Sequence, residues 1–132
     1  MDDEAEFPVW LAEAAIGLAD GDVDTWLRMY ADDAVHEFPF AAAGDVRRLE
    51  GTSQIRAYMA AMDGSVQFGT LDDITVRELG EEVMIEAEGH HFDATTGDPF
   101  DIRYLWIIAR RDGLVTHLKD YMGPRRPVGG AA

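Results

Sequence analysis

The sequence predicts an α+β fold in which three N-terminal helices pack on a strongly curved antiparallel sheet. Apolar residues recur at helical spacing in three segments of the first half, and four long strand-like segments separated by turns fill the second half. Helices segregated to one face of an antiparallel sheet are typical of the α+β class. At 132 residues the chain suits one domain. We expect that domain to span residues 1–124 and residues 125–132 to form a flexible tail.

The helices are predicted from apolar spacing and from their end signals. The first spans residues 7–18, and Gly21 separates it from the second. Asp22 is the expected N-cap of the second helix, whose apolar stripe runs from Val23 to Tyr30. The third helix spans residues 51–64, with Thr52 or Ser53 as its cap and Gly64 at its end.

The strands follow from apolar alternation and turn residues. Residues 34–40 form a first short strand, in which Pro39 favours an edge position or a bulge. Residues 41–50 are small and charged, which indicates a surface loop. Four long strands follow, with Gly80-Glu81, Thr96-Gly97-Asp98 and Asp112-Gly113 as hairpin turns. They are predicted at residues 66–79, 82–94, 99–110 and 114–122.

The composition excludes several classes of function. Eleven basic and 26 acidic side chains give a net charge of −15, and such a surface repels nucleic-acid backbones and anionic lipids. The chain has no cysteine, so disulfides, thiolate nucleophiles and cysteine-based metal sites are excluded. Its apolar runs are strand-length and its first residues are acidic, which predicts neither a membrane span nor a signal peptide. We therefore expect a cytoplasmic protein that binds neither nucleic acid nor membrane.

Short motifs along nearly the whole chain occur in a recognisable order. They are Gly21-Asp22-Val23-Asp24, Tyr30-Ala31-Asp32-Asp33-Ala34-Val35, Phe38-Pro39, Glu50-Gly51, Ile55-Arg56 and Asp120-Tyr121-Met122-Gly123-Pro124. With them the chain resembles the nuclear transport factor 2-like superfamily, and within it the SnoaL-like polyketide cyclases and ketosteroid isomerase-like proteins. The resemblance implies a cystatin-like cone that encloses a pocket. This fold serves isomerases, cyclases, epoxide hydrolases and non-catalytic binders, so it implies no single reaction.

Comparison with three of these families implies different chemistry at defined positions. The general base, the oxyanion-hole acid and the tyrosine of the steroid isomerases are replaced here by Phe38, Leu105 and Ala14. Dienol-type isomerisation by that set is therefore rejected. Limonene epoxide hydrolases resemble the chain in two acids, Asp93 and Asp120, although their arginine corresponds to His91. SnoaL-type cyclases need one acid on the last strand, which implies Asp120 as the acid/base.

Strand alternation predicts which side chains share a pocket. His91 and Asp93 share the more apolar face of their strand, and Asp120 lies with Leu118 on the matching face of the last strand. With Arg103 assigned to the same side, these four residues form a candidate acid/base set. Asp120 would be the principal acid/base, His91 and Asp93 would be proton-transfer partners, and Arg103 would orient or stabilise an oxyanion. The alternative is a structural salt bridge between Arg103 and an aspartate.

The remaining expectations concern ligands and assembly. The apolar and aromatic walls of the expected pocket suit a flat hydrophobic ligand, such as a polycyclic compound. Either His36 or Glu37 faces inward on the first strand. His90 and His91 point to opposite faces and cannot chelate one metal ion, so no metal is expected. No cofactor is expected either. The face of Tyr104, Trp106 and Ile108 is expected to lie outside and to form a homodimer. The proposed substrate-binding residues are His36, Phe38, Tyr58, Met59, Leu105 and Leu118.

Two functions remain open at this point. The first is a small cofactor-independent enzyme of the SnoaL-like class, a cyclase, isomerase or epoxide hydrolase, that acts on a hydrophobic substrate by general acid/base catalysis. The second is a non-catalytic module of the same fold that binds a small ligand or a partner.

Overall fold

Three helices and seven strands form a mixed α+β structure in residues 7–128, the part of the chain that the computed structural model describes. In chain order they are α1 (Val9–Ala19), α2 (Val23–Leu27), β1 (Tyr30–Glu37), β2 (Arg48–Glu50), α3 (Gly51–Asp63), β3 (Val66–Leu79), β4 (Glu82–Asp93), β5 (Pro99–Arg111), β6 (Leu114–Met122) and β7 (Arg126–Pro127). The α+β class is therefore as predicted.

The strands form one curved, unclosed sheet in the order β2-β1-β6-β5-β4-β3, and β7 pairs with β5. Every pairing is antiparallel except that of β1 with β6, which is parallel. The expectation of a purely antiparallel sheet is thus wrong at one junction. Hairpin turns give a local sequence signal for antiparallel neighbours. No such signal exists for β1 and β6, because most of the chain separates these two strands.

Local signals account for most element boundaries. Asp22 accepts a hydrogen bond from the Thr25 amide over 3.2 Å and caps α2 as predicted. Gly80, Gly97 and Gly113 have positive φ at the three hairpin turns, where glycine is favoured because it has no Cβ. The bounds of β3 to β6 agree with the predicted ones to within one residue.

Four local expectations need correction. The second helix ends at Leu27, and Tyr30 begins β1, because Tyr30 continues the helical spacing but packs as a strand residue. Helix α3 has Glu50 as its N-cap, and the Gln54 side chain accepts from the Glu50 amide, so neither Thr52 nor Ser53 caps it. The expected loop of residues 41–50 contains β2, and β7 lies in the expected tail. Residues 129–132 of that tail lie outside the described residues.

The sheet has two faces of different composition. The inner face, which packs on the helices, carries buried side chains from four strands: His36, Ile85, Ala87, His91, Ile102, Tyr104, Trp106, Ile108, Leu118 and Asp120. The outer face carries the alternate residues, among them Glu37, Glu86, Glu88, His90, Asp101, Arg103, Leu105, Ile107 and His117. The inward direction of His91 and Asp120 is as predicted.

The predicted phase of β5 is wrong. Trp106 lies opposite both Ile85 and Asp120 in the strand register, and directly opposite residues share a face. Tyr104, Trp106 and Ile108 are therefore core residues, with exposures of 7%, 6% and 0%. Arg103 and Leu105 consequently lie on the outer face. A homodimer stays a prediction, but Tyr104, Trp106 and Ile108 cannot form its interface.

Candidate active site

A cavity of about 160 Å³ lies between the inner face and the helices. Its walls are mostly apolar and aromatic, and they include Trp26, Phe38, Tyr58, Met59, Met62, Phe68, Ile102 and Trp106. The polar side chains of the wall include His36, His91, Tyr104 and Asp120. A second cavity of about 770 Å³ abuts the first, and its wall includes Phe40, Ala41, Ala42, Asp45 and Val46. The two cavities share Phe38, Tyr58, Met62, Asp120, Met122, Gly123 and Arg125. Asp120 thus lies where the two cavities meet.

The carboxylate of Asp120 has two hydrogen-bond partners, the indole of Trp106 and the imidazole of His36. Trp106 Nε1 donates to its Oδ1 over 3.1 Å, and His36 Nε2 lies 3.2 Å from its Oδ2. Asp120 is 8% exposed, and a buried carboxylate needs such partners to offset lost hydration. A carboxylate offers about four acceptor positions. Each oxygen of Asp120 therefore keeps capacity for a ligand or a proton.

His36 connects Asp120 to a buried tyrosine. The Tyr30 hydroxyl lies 2.8 Å from His36 Nδ1, while the opposite ring nitrogen faces Asp120. His36 also stacks on Phe38, with ring centroids 4.7 Å apart. The alternative left open on this strand is thereby decided, because His36 points inward and Glu37 pairs with His117 and Arg48 on the outer face. Tyr30, His36 and Asp120 form a continuous hydrogen-bonded chain.

His91 forms a second polar pair on the inner face. Its Nε2 lies 2.8 Å from the Tyr104 hydroxyl, and its Nδ1 accepts from the Gly69 amide over 3.1 Å. Burial lowers the pKa of His91 to about 4. The ring is therefore neutral near pH 7, and both nitrogens already have partners. This geometry makes His91 a fixed hydrogen-bonding group and does not support a role in proton transfer.

Burial and the charge of Asp120 act together on three tyrosines. Burial raises the pKa of the hydroxyls of Tyr30, Tyr58 and Tyr104, and the negative charge of Asp120 raises them further. These hydroxyls consequently remain protonated hydrogen-bond donors at neutral pH. The cavity wall thus combines the acid Asp120 with neutral tyrosine donors and with the cationic side chain of Arg125.

Two of the predicted catalytic residues lie away from this cavity. Asp93, at the end of β4, accepts from the amides of Thr95 and Thr96, and these bonds lower the pKa of its carboxyl. Asp93 is the last residue of β4, and its side chain stabilises the turn that follows. Arg103 lies on the outer face, with ion pairs to Asp73, Glu86 and Glu88. The predicted grouping of Asp93 and Arg103 with Asp120 is therefore wrong.

The proposed substrate-binding residues divide in the same way. His36, Phe38, Tyr58 and Met59 line the cavity. Leu105 lies on the outer face for the reason given for Arg103. Leu118 is 1% exposed and belongs to the packed core without lining the cavity.

Sequence reasoning missed Tyr30, Tyr104 and Trp106 as partners of the buried polar groups. The signal that could have identified Tyr104 and Trp106 was the apolar alternation of Ile102, Tyr104, Trp106 and Ile108, which marks the buried face of β5. No local signal pairs Tyr30 with His36, since the strand is irregular between Tyr30 and Val35.

Residues 7–128 contain no cluster of three or more His, Asp or Glu side chains that could hold a metal ion. Within the same range, no helix has the length and apolar character needed to cross a membrane.

Comparison with known proteins agrees with this architecture. A sequence model of the SnoaL-like domain family matches residues 12–118. The chain belongs to the SnoaL-like domain family. Two curated relatives are themselves uncharacterized proteins. The protein YesE of Bacillus subtilis is 29% identical over 107 residues, covering 78% of this chain and 71% of its own length. A PhzA/B-like protein of Pseudomonas aeruginosa is 27% identical over 113 residues, covering 83% and 78%.

Solved structures show the same fold. A candidate isomerase from Bacillus subtilis superposes with a TM-score of 0.81 at 26% identity, covering 87% of this chain and 84% of its own. A candidate polyketide cyclase from Xanthomonas campestris gives a TM-score of 0.70 at 22% identity, covering 85% and 86%. At that identity the second comparison concerns the fold alone. This SnoaL-like chain therefore shares its fold with proteins named as isomerases and cyclases.

Proposed function

We propose that this SnoaL-like protein is a cofactor-independent enzyme of the isomerase or cyclase type that moves a proton on a hydrophobic carbonyl compound. The observation that carries the proposal is the position of Asp120. Its carboxylate lies where two cavities meet, inside mostly apolar walls, and among residues 7–128 each of its oxygens has one side-chain hydrogen-bond partner. A positioned carboxylate in such surroundings can take a proton from carbon and return it.

His36 would act as the partner of Asp120. Its Nε2 faces the carboxylate, and Tyr30 holds the opposite nitrogen. This arrangement orients the ring and lets it stabilise either protonation state of the acid. The geometry does not favour epoxide hydrolysis. The resemblance to epoxide hydrolases needs Asp93 as a second acid, and Asp93 instead accepts hydrogen bonds from the turn after β4.

The mostly apolar walls of the cavity also support a second candidate, a module that binds a hydrophobic ligand without transforming it. The two candidates differ in one measurable property. An enzyme of the proposed type exchanges the α-protons of a bound ketone with solvent, whereas a binding module does not.

The test uses 2-tetralone, a bicyclic ketone, in D₂O. Proton NMR follows loss of its α-proton signals, and quenching of tryptophan fluorescence measures its binding. We expect exchange above the buffer rate in the wild type and a decrease of about 10² to 10⁴ in Asp120→Asn, with binding kept within a few-fold. Asp101→Asn is the matched control, because Asp101 pairs with His90 on the outer face.

An unchanged exchange rate in Asp120→Asn would show that Asp120 is not the acid/base. Binding of 2-tetralone by the wild type without any exchange above the buffer rate would favour the ligand-binding module.

A further inference from the structure

Gly69 fixes the tautomer of His91. The Gly69 amide donates to His91 Nδ1 over 3.1 Å, and a backbone amide can only donate, so Nδ1 carries a lone pair. A neutral imidazole then has its proton on Nε2, which lies 2.8 Å from the Tyr104 oxygen. The hydrogen bond therefore runs from His91 to Tyr104, with the tyrosine oxygen as the acceptor.

This direction leaves the hydroxyl proton of Tyr104 available. The Tyr104 oxygen has His91 as its one hydrogen-bond partner among residues 7–128. Tyr104 is 7% exposed and lines the 160 Å³ cavity. Burial raises the pKa of its hydroxyl, so the proton stays in place at neutral pH. A buried donor without an acceptor is costly, and a polar atom of a ligand would offset that cost.

Two glycines make room for this pair. A Cβ on Gly89 would lie 2.5 Å from His91 Nε2 and 2.6 Å from the Tyr104 ring. A Cβ on Gly69 would lie 1.9 Å from the carbonyl oxygen of His90, so only glycine lets this amide approach β4. Gly69 also lies in the irregular part of the β3–β4 register, between Gln67 and Thr70. The orientation of His91 and Tyr104 thus depends on specific backbone features of two strands.

Tyr104 also has a defined relation to Asp120. Asp120 on β6 lies opposite Trp106 on β5. Tyr104 is two residues before Trp106 on β5, and its side chain lies on the same face of the sheet. Such diagonal neighbours are typically about 7–8 Å apart. Trp106 joins them, since it stacks on Tyr104 at 4.9 Å and donates to Asp120. One ligand can therefore contact both groups, with its oxygen at Tyr104 and a nearby carbon at Asp120.

We propose that Tyr104 donates its hydroxyl hydrogen bond to the carbonyl oxygen of the substrate, and that His91 is the positioning residue that directs this donor. The substrate class is an enolisable hydrophobic ketone or ester. This inference rests on the proposed function. Asp120 takes a proton from the carbon next to the carbonyl, the C–H electron pair forms the carbon–carbon double bond, and the carbonyl π electrons move to oxygen. The enolate oxygen accepts from Tyr104 until Asp120 returns the proton to carbon.

The test for Tyr104 measures binding and needs no turnover. The probe is 2-naphthol at a pH where part of it is ionised, because its oxyanion imitates an enolate; naphthalene is the apolar control ligand. The protein carries Asp120→Asn, which imitates the protonated acid that faces an enolate. Adding Tyr104→Phe should lower the affinity for the naphtholate about 10- to 100-fold and leave naphthalene within about threefold. Tyr121→Phe is the matched control, since Tyr121 lies on the outer face against Phe40.

Equal affinity for the naphtholate with and without the Tyr104 hydroxyl would overturn the proposal. An equal loss for naphthalene would also overturn it, because the change would then be one of cavity shape. Neither result depends on exchange of 2-tetralone, so the failure of this inference and the failure of the proposed acid/base role are distinguishable.

His91 has a test that a packing role would not satisfy. Nitrogen-15 NMR of the imidazole rings, with the His91→Gln spectrum for assignment, should show a neutral ring protonated at Nε2 between pH 6 and pH 8. His91→Phe in the Asp120→Asn background should lower naphtholate affinity about 2- to 10-fold, without a matching change for naphthalene. A ring protonated at Nδ1, or one that is charged near pH 7, would contradict the assignment.

Discussion

His90 and His91 are neighbours on β4, yet they lie in opposite electrical surroundings. His90, on the outer face, is 2.8 Å from both Asp72 and Asp101, and these carboxylates raise its pKa. His91, on the inner face, has Tyr104 and a backbone amide as partners, and burial lowers its pKa to about 4. One residue of sequence separates a charged, solvated face from a neutral, buried one.

The same contrast holds for the two faces as a whole. Outer-face pairs such as Arg103 with Asp73 join formal charges that water and salt screen. Inner-face pairs join Asp120 to His36 and Trp106, where few charges compete. A hydrogen bond in such surroundings is stronger, and so is the effect of losing one. Chemistry is therefore expected on the inner face, although most of the charged residues lie elsewhere.

The largest expected effect is a loss of folding stability, and two neighbouring isoleucines of β5 test it. Ile108 is fully buried, and Ile107 lies on the outer face with partial exposure. Ile108→Ala should lower the free energy of unfolding by about 2–5 kcal/mol, and Ile107→Ala should lower it by less than about 1 kcal/mol. Urea unfolding at low protein concentration measures both.

An equal cost at both positions would contradict the assignment of the two faces. A cost at Ile107 that grows with protein concentration would instead support a homodimer formed through the outer face.

The next effect concerns pH and the two histidines. Because the pKa of His91 is about 4 in the folded chain and 6.5 as its ordinary value, the unfolded chain binds the extra proton between these values. Folding stability from this residue is therefore lost as pH falls from 6.5 towards 4. The stabilisation of the wild type over His91→Gln should be smaller at pH 5 than at pH 7, by roughly 1–2 kcal/mol.

The stability contributed by His90 is expected to change with pH in the opposite direction. Its raised pKa means that its contribution is present below its ordinary pKa and is lost as pH rises through the raised value. His90→Gln should therefore cost more stability at pH 5 than at pH 7, as measured by the same urea unfolding. If the stability lost in His91→Gln and in His90→Gln changed with pH in the same direction, the contrast between the two faces would be wrong.

The smallest effect is expected at Arg103. Its partners are on the outer face and partly exposed, and exposed ion pairs contribute about 0.2–1 kcal/mol. Arg103→Gln should change stability by no more than that and should keep α-proton exchange of 2-tetralone within about twofold. A large loss of exchange, measured as for Asp120→Asn, would return Arg103 to the site.

Sequence alone was sufficient for the parts of the fold with local signals. Apolar alternation and turn glycines located β3 to β6, and Asp22 was recognised as a cap because its contact with Thr25 is three residues away. The predicted phase of β5 is wrong because it places Arg103 on the inner face, although Tyr104 and Trp106 belong to the more apolar set of alternate residues. Phase matters here, since one residue exchanges the faces.

The candidate site was predictable only in part. Asp120 and His91 were placed correctly by alternation, because each strand follows its own period. The pairing of His36 with Asp120 depends on the parallel contact of β1 with β6, between positions 84 residues apart. No spacing in the sequence encodes such a contact.

The most direct test of a ligand site on the inner face uses the four histidines of the chain as reporters. His36 and His91 line the inner cavity, whereas His90 and His117 lie on the outer face. Imidazole NMR signals would be followed during titration with 2-naphthol. The signals of His36 and His91 should shift together with one affinity, while those of His90 and His117 stay unchanged. Shifts confined to His90 and His117 would place the ligand on the outer face and contradict the account.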